Sequence, residues 1–178
     1  EACDMPANYN FEQRIAFYKA RGDSILELFS NIARDNHCYI TYAGIREMQD
    51  STWRNSIQLI DRNGTVAGVY NKNHPTEQEI EEGIKCGRDA QLIECDFGKV
   101  ACAICFDLNF NELRMKYVNA KPNLIIFSSM FHGGLLQNYW AYSCRSHFAG
   151  SIANARPSST ISPVGEIIDS NTNYFDFV

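Results

Sequence analysis

Short apolar runs alternate along this chain with segments in which apolar residues recur every three or four positions. The second pattern predicts helices at Asp23–Asp35, Glu77–Glu82, Glu112–Asn119 and Gln137–Phe148. The short runs predict strands at Tyr39–Ile45, Ser56–Asp61, Val66–Asn71, Gln91–Cys95, Val100–Cys105, Leu124–Ser128, Ser151–Asn154, Ser159–Ser162 and Glu166–Asp169. Turn residues at Arg62–Gly64 and Asp96–Lys99 predict two hairpins. Helices and strands in this order indicate layered α/β packing.

Cys105 is the first candidate for chemistry. The pattern places it at the end of a buried strand, with the polar start of a helix following at Asn109. Open α/β sheets carry reactive groups at this position, and a helix N-terminus favours a thiolate and an oxyanion. An isolated cysteine is nevertheless more often a small buried apolar residue, so further motifs are needed.

Composition and charge narrow the possible partners. The chain has 178 residues, of which 45% are hydrophobic and 21% charged, and this predicts one domain over residues 1–178. A net charge of −5 argues against nucleic acid or an anionic membrane as partner.

The seven cysteines are an odd, irregularly spaced set, which fits a reducing compartment such as the cytoplasm. Cys102 and Cys105 have the spacing of a zinc or redox pair but lie in a predicted strand, so no metal or other cofactor is predicted.

Several ordered motifs resemble one family. The segment Ala103–Arg114 resembles the nucleophile motif of the nitrilase, or carbon–nitrogen hydrolase, superfamily, and Val69–Pro75 is similar to its lysine motif. Asn55–Gly64, Asn123–Met130 and Ser162–Glu166 are similar to further family segments, in the family's order. The resemblance covers nearly the whole chain, and it implies a four-layer α-β-β-α sandwich of the nitrilase type.

The resemblance also implies a Glu-Lys-Cys triad, with Lys72 and Cys105 as two of its members. Glu1 is the glutamate at the family's distance from Lys72. Glu12 lies in a predicted helix start and Glu47 is too close to the lysine, so Glu1 is preferred. This assignment predicts that the chain is a fragment that lacks the family's first strand and helix. Residues 173–178 have the pattern of an interrupted strand, which predicts a second truncation after residue 178.

A second glutamate often follows the family's lysine. Glu79 is preferred because its distance from Gly83 and Ile84 is similar to the family spacing, whereas its acidic neighbours are expected to be solvated. These neighbours are Glu77, Glu81 and Glu82.

The residues that follow the predicted strands Val100–Cys105 and Leu124–Ser128 are expected to bind substrate. They are Phe106, Asn109, Met130, Phe131 and His132, with Tyr139 and Trp140 as further pocket walls. His132 is predicted to line the pocket and not to act as a base.

The predicted function is thiol hydrolysis of non-peptide carbon–nitrogen bonds through a thioester acyl-enzyme. Small amides are the first substrate class, with nitriles and carbamoyl compounds as further candidates. The alternative is a catalytically inactive protein of the same fold that serves in assembly. A Cys–His amidotransferase-type site would need glycines around the cysteine, where Cys105 has Ile104 and Phe106. The resemblance implies a homodimer or larger homo-oligomer formed through the helices at Glu112–Tyr117 and Gln137–His147.

Overall fold

The computed structural model describes residues 1, 3, 4, 6, 8–153 and 156–171, which fall into two compact units. The Lys72 unit comprises residues 2–87, and the Cys105 unit comprises Glu1 and residues 88–178. Among the described residues, no helix is long and apolar enough to cross a membrane.

The Lys72 unit contains an antiparallel sheet with the strand order β1-β2-β3. Its elements are α1 (Phe11–Arg21), α2 (Ser24–Asp35), β1 (Ile40–Glu47), β2 (Trp53–Ile60), β3 (Val66–Asn71) and α3 (Glu77–Glu81). Helix α1 begins at Phe11 because Asn10 and Gln13 form a reciprocal cap, each side chain accepting from the other's backbone N–H at 2.9 Å. Helix α2 packs Ala33 against Tyr42 and Ile60 of the sheet.

The predicted hairpin between β2 and β3 is confirmed. The Asp61 carboxylate accepts from the backbone N–H groups of Asn63 and Thr65, both at 2.9 Å. Gly64 has φ +77°, and a Cβ there would lie 2.5 Å from the Ser30 carbonyl oxygen. The tight turn therefore requires glycine.

The Cys105 unit contains a sheet of six strands among its described residues, ordered β4 to β9 as in the chain. Its elements are β4 (Ile93–Cys95), β5 (Gly98–Ile104), a 3₁₀ turn (Cys105–Asn109), α4 (Asn111–Ala120), β6 (Leu124–Ser129), α5 (Leu136–Cys144), β7 (His147–Ile152), β8 (Ser159–Ile161) and β9 (Ile167–Ser170). Strands β5, β6 and β7 are parallel, so their carboxyl ends share one side of the sheet, called here the carboxyl edge.

The core of the Cys105 unit fixes where β5 ends. Val100–Ile104 is buried, and the Tyr117 hydroxyl donates to the Cys102 carbonyl oxygen at 2.6 Å, which ties α4 to β5. Trp140 of α5 packs edge-on against Tyr117 with 6.2 Å between the ring centroids. Trp140 is therefore a core residue, and its prediction as a pocket wall is wrong.

The predicted helix over Gln137–Phe148 is also wrong at its C-terminal end. Helix α5 stops at Cys144 because Arg145 has φ +52°, and β7 then begins at His147. Phe148 pairs with Ile125 of β6 and is buried. The predicted strand at 151–154 is the end of β7, and its last residue lies outside the described residues.

Smaller differences concern where elements begin and end. Strand β2 begins at Trp53, three residues before its predicted start. Cys105 follows β5 and does not belong to it, and the helix predicted to open at Asn109 begins at Asn111. The 3₁₀ turn therefore separates the cysteine from α4.

Candidate active site

Cys105 lies at the carboxyl edge in a backbone conformation that cysteine rarely adopts. Its φ is +46°, in the left-handed region, which costs about 1–3 kcal/mol for a residue with a side chain. The surrounding turn holds it there, since the buried Asp107 carboxylate accepts from the Ile104 N–H at 3.0 Å. The Phe110 N–H in turn donates to the Asp107 carbonyl oxygen at 3.1 Å. The thiol is half-buried.

Glu1 reaches the same edge of the sheet. Ile104 pairs with Ser128 across β5 and β6, so Cys105 and Ser129 are the next neighbours along the two strands. The Met130 N–H, one residue further, donates to Glu1 Oε2 at 3.2 Å. Because neighbouring strands lie about 4.8 Å apart, this bond places the Glu1 carboxylate one strand away from the nucleophile position.

Ser129 shapes the chain after β6, and sequence reasoning missed it. Its buried hydroxyl accepts from the Phe131 N–H at 2.8 Å and donates to the Phe131 carbonyl oxygen at 2.6 Å. Both backbone polar groups of Phe131 are thereby hydrogen-bonded to Ser129, while the Met130 N–H donates to the Glu1 carboxylate. A serine that bonds the backbone two residues on is a common turn device, and this was the available sequence signal.

The loop His132–Gly134 follows directly. His132 Nδ1 accepts from the Gly134 N–H at 3.1 Å, and Gln137 Nε2 donates to the His132 carbonyl oxygen. Gly133 has φ +77°, and a Cβ there would lie 2.4 Å from Leu108 Cδ2. The loop therefore packs directly on the turn that carries Cys105.

The predicted substrate-binding residues all lie at the carboxyl edge. Phe106 and Asn109 belong to the turn after β5, where Asn109 Nδ2 donates to the Phe106 carbonyl oxygen at 3.1 Å. Met130, Phe131 and His132 follow β6. The three apolar side chains among these five are exposed. Their role in binding stays a prediction.

The Tyr139 side chain, on α5, contacts Arg114 of α4. The Arg114 guanidinium lies over its ring, 4.5 Å from the centroid, which is a cation–π distance. Its predicted place in the pocket wall stays a prediction.

Lys72 is almost completely buried, with 1% of its surface exposed. It follows β3, and its backbone N–H donates to the Asn55 carbonyl oxygen at 2.8 Å. Its Nζ lies 2.8 Å from Glu79 Oε2. The other carboxylate oxygen accepts from Asn55 Nδ2 at 2.8 Å, and the Thr76 N–H donates to Oε2 at 2.7 Å. The ion pair therefore has the hydrogen bonds that a buried charge requires.

The environment keeps Glu79 ionised. Burial acts to raise its pKa, but the charge of Lys72 and the hydrogen bonds from Lys72, Asn55 and Thr76 outweigh burial and lower it. Glu79 is also the N3 residue of a capping box that begins at Thr76. Thr76 followed three residues later by Glu79 is a sequence signal that singles out this glutamate from its acidic neighbours.

The four predicted catalytic residues are distributed over both units. Lys72 and Glu79 belong to the Lys72 unit, whereas Glu1 and Cys105 belong to the Cys105 unit. A single triad of Glu1, Lys72 and Cys105 stays a prediction. Within the described residues, no group of three or more His, Cys, Asp or Glu side chains could hold a metal ion.

Comparison with known families identifies the class of protein. The profile of the family described as carbon-nitrogen hydrolase matches residues 2–175, so the chain belongs to this family. The family resemblance found in the sequence motifs is thereby confirmed.

Curated relatives share modest identity with the chain. A deaminated glutathione amidase from Dictyostelium discoideum is 25% identical over 146 residues, covering 74% of this chain and 50% of that protein. A probable nitrilase from Schizosaccharomyces pombe is 33% identical over 116 residues, covering 64% and 42%. An omega-amidase from Xenopus laevis is 23% identical over 174 residues, covering 84% and 63%. The chain spans about half the length of the first curated relatives it matches.

Solved structures confirm the fold class. The Caenorhabditis elegans NitFhit protein matches with a TM-score of 0.82 at 18% identity, covering 94% of this chain and 47% of that one. An amidase from Nesterenkonia sp. matches with a TM-score of 0.75 at 15% identity, covering 96% and 67%. The prediction of an α/β fold of the nitrilase type is therefore confirmed.

Proposed function

We propose that the protein hydrolyses non-peptide carbon–nitrogen bonds of small amides through Glu1, Lys72 and Cys105. The observation that carries the proposal is the left-handed Cys105 at the carboxyl edge, with the Glu1 carboxylate held at the end of the neighbouring strand. Relatives named amidases favour amides over nitriles as the first substrate class.

In the first step the Cys105 thiol transfers its proton to the Glu1 carboxylate while the sulfur attacks the amide carbon. The carbonyl oxygen becomes an oxyanion. The Phe106 N–H, directly after the nucleophile, and the Lys72 ammonium are the proposed groups that stabilise it.

In the second step the tetrahedral intermediate collapses. The carbon–nitrogen bond breaks, Glu1 returns its proton to the leaving nitrogen, and an amine or ammonia departs, which leaves a thioester on Cys105. Glu1 then removes a proton from water, the resulting hydroxide attacks the thioester carbon, and the carbon–sulfur bond breaks. The acid product leaves as the proton returns to the thiol.

Glu79 acts on this chemistry through Lys72. An ammonium with 1% exposure needs a compensating carboxylate, and Glu79 supplies it at 2.8 Å. Because Asn55 and Thr76 fix both carboxylate oxygens, the position of Nζ is fixed as well. Glu79 is therefore proposed as a positioning residue.

Assembly and location are proposed from the sequence. The family resemblance favours a homodimer or larger homo-oligomer formed through α4 and α5. The irregular set of seven cysteines, all present as thiols, favours a cytoplasmic protein.

Two measurements test the nucleophile. Ammonia release from small amides should fall by at least about 10³-fold in Cys105→Ala, whereas Cys86→Ala, at an exposed cysteine, should retain activity. Limited iodoacetamide labelling followed by mass spectrometry should modify Cys105 before the other six cysteines, Cys86 included, because an activated thiolate reacts faster than an ordinary thiol. Cys102 should react slowly, because burial raises its pKa to about 12. Full activity of Cys105→Ala, or faster labelling of Cys86, would overturn the proposal.

A further inference from the structure

The turn between β2 and β3 contains a chemically reactive pair of residues, Asn63 and Gly64. No other asparagine in the sequence is followed by glycine. The backbone nitrogen of the following residue can attack an asparagine side chain, and glycine hinders this attack least because it has no side chain and the freest backbone. Asn63 is exposed, so water also reaches its side chain. The turn therefore combines a reactive pair with access to solvent.

The fold retains this pair because position 64 requires glycine. Gly64 has φ +77°, and a Cβ there would lie 2.5 Å from the Ser30 carbonyl oxygen and 3.4 Å from Arg34 Cβ. Both of these residues belong to α2, so the turn packs directly on that helix. A larger residue that would slow the attack does not fit here.

Hydrogen bonds in the closed turn oppose the attack. The Gly64 N–H donates to the Asp61 carbonyl oxygen at 2.9 Å, and the Asp61 carboxylate accepts from the N–H groups of Asn63 and Thr65, each at 2.9 Å. To attack, the Gly64 nitrogen must give up its proton and with it this hydrogen bond. Negative charge that develops on the nitrogen would lie close to the Asp61 carboxylate, and like charges disfavour ionisation. The closed turn thus protects Asn63.

We propose that Asn63 is a site of spontaneous deamidation, which proceeds when the turn between β2 and β3 opens locally. In the open turn the Gly64 nitrogen bonds to Asn63 Cγ, and the bond between Cγ and Nδ2 breaks. The proton from the Gly64 N–H leaves with the amide nitrogen as ammonia, so the product is a five-membered succinimide. Water is the only other reactant that the modification requires.

Water then opens the succinimide at either of its carbonyl carbons. Attack at Cγ restores the normal backbone and leaves an aspartate at position 63. Attack at the main-chain carbonyl carbon breaks its bond to the Gly64 nitrogen and leaves an isoaspartate, in which the main chain runs through Cβ and Cγ. Each product adds a carboxylate near Asp61, and isoaspartate also lengthens the turn. The modification should therefore weaken the hairpin whose second strand, β3, ends one residue before Lys72.

Deamidation is followed by peptide mass spectrometry during incubation in mildly alkaline buffer, for the folded protein and for the protein unfolded in urea. In urea Asn63 should react faster than every other asparagine, because only its neighbour is glycine. In the folded protein Asn63 should react at least about 10-fold more slowly, since the turn must first open. Asn36, which is exposed and followed by His37, is the internal reference for unfolding of the whole chain.

Two variants at position 61 test the protection. Asp61→Ala removes the carboxylate and both of its hydrogen bonds, so Asn63 in the folded protein should react about 10-fold faster. Asp61→Asn removes the charge but keeps an oxygen that accepts a hydrogen bond, so the increase should be smaller. Asp23→Ala is the matched control, because Asp23 is exposed and its side chain makes no capping hydrogen bond at the start of α2. This control should leave the rate at Asn63 unchanged.

Equal rates at Asn63 in the folded and the urea-unfolded protein, or an unchanged rate in both Asp61 variants, would overturn the inference. Faster reaction of another asparagine in urea would also overturn it. If Asp61→Ala accelerates Asn36 together with Asn63, that variant has unfolded, and Asp61→Asn then decides. A faster reaction at Asn63 in Asp61→Asn supports the inference, and an unchanged one refutes it.

Discussion

Lys72 and Cys105 are held in place by different means. Lys72 is buried, and side chains and one backbone group fix its partner, Glu79. Cys105 is half-buried, and its left-handed backbone depends on a turn that Asp107 and the neighbouring loop hold closed. The first site depends on paired charge, and the second depends on backbone shape.

This difference determines which substitutions should be tolerated. A buried charge whose partner is removed leaves the other charge uncompensated, so the Lys72 site should respond to the loss of either member. The Cys105 turn is held by hydrogen bonds between Asp107 and neighbouring backbone N–H groups and by close packing of the loop after β6. It should respond to changes of volume and backbone freedom, including changes in the loop packed upon it.

The largest effect is expected for Lys72→Met. The variant leaves the Glu79 carboxylate, whose side chain is 18% exposed, without its cation. The free energy of unfolding in urea should fall by about 3–5 kcal/mol, the usual cost of removing one partner of a buried pair.

Lys99→Met is the control for this prediction. Lys99 and Glu94 also form an ion pair, at 3.4 Å, but their side chains are 52% and 72% exposed. Solvent screens such a pair, so the loss should be at most about 1 kcal/mol. Equal losses in the two variants would show that burial does not determine how strongly the Lys72–Glu79 ion pair stabilises the protein.

The second effect concerns the shape of the Cys105 turn. Gly133→Ala forces a methyl group to within 2.4 Å of Leu108 Cδ2 and also places a side chain at φ +77°. Unfolding should become easier by about 2–4 kcal/mol, and iodoacetamide labelling of Cys105 should slow because its turn is displaced.

The next residue provides the matched control. Gly134 has φ +54°, and of the described residues none comes within 4 Å of a Cβ added there. Gly134→Ala should therefore cost only the backbone term, about 1–2 kcal/mol, and leave the labelling rate of Cys105 nearly unchanged. If both variants slow the labelling equally, contact with Leu108 is not what holds the turn.

The sequence predicted the elements that carry the candidate site because their signals are local. The apolar run before Cys105 and the turn at Asp96–Lys99 give β5 and its hairpin. The spacing in the sequence selected Glu79, and the structure pairs Glu79 with Lys72. The capping box that begins at Thr76 is a further local signal for the same glutamate. Each of these signals lies within a few residues of the structure it specifies.

Features that depend on distant residues could not be predicted. Helix α5 and β7 share one continuous pattern of aromatic and apolar residues, and only pairing of Phe148 with β6 makes the second part a strand. The Gln137 side chain donates to the His132 carbonyl oxygen and lies against Gly150 of β7, so its role depends on the exact course of the chain after β6. Residue types alone contain no signal for such a course.

The smallest effect is expected in the pH dependence of stability. Burial acts to raise the folded-state pKa of Glu79, but the charge of Lys72 and the hydrogen bonds from Lys72, Asn55 and Thr76 outweigh burial. The folded-state pKa of Glu79 is therefore lowered. In the unfolded chain a glutamate titrates near pH ~4.3. The stabilisation is therefore complete above that pH and is lost as the pH falls through the lower, folded value, because the unfolded chain then binds more protons.

The double variant Lys72→Met/Glu79→Gln isolates this contribution. Removing both charges avoids an uncompensated partner, so at neutral pH the double variant should be more stable than Lys72→Met. Urea unfolding should be measured from neutral pH into acid. Below pH ~4.3 the free energy of unfolding of the wild type should fall more steeply than that of the double variant, and the difference is the contribution of the Glu79 carboxylate. Glu112→Gln, which removes an exposed carboxylate paired with Lys116, should instead follow the wild-type slope closely. Parallel slopes for the wild type and the double variant would show that the Lys72 site does not hold Glu79 as a stabilised carboxylate.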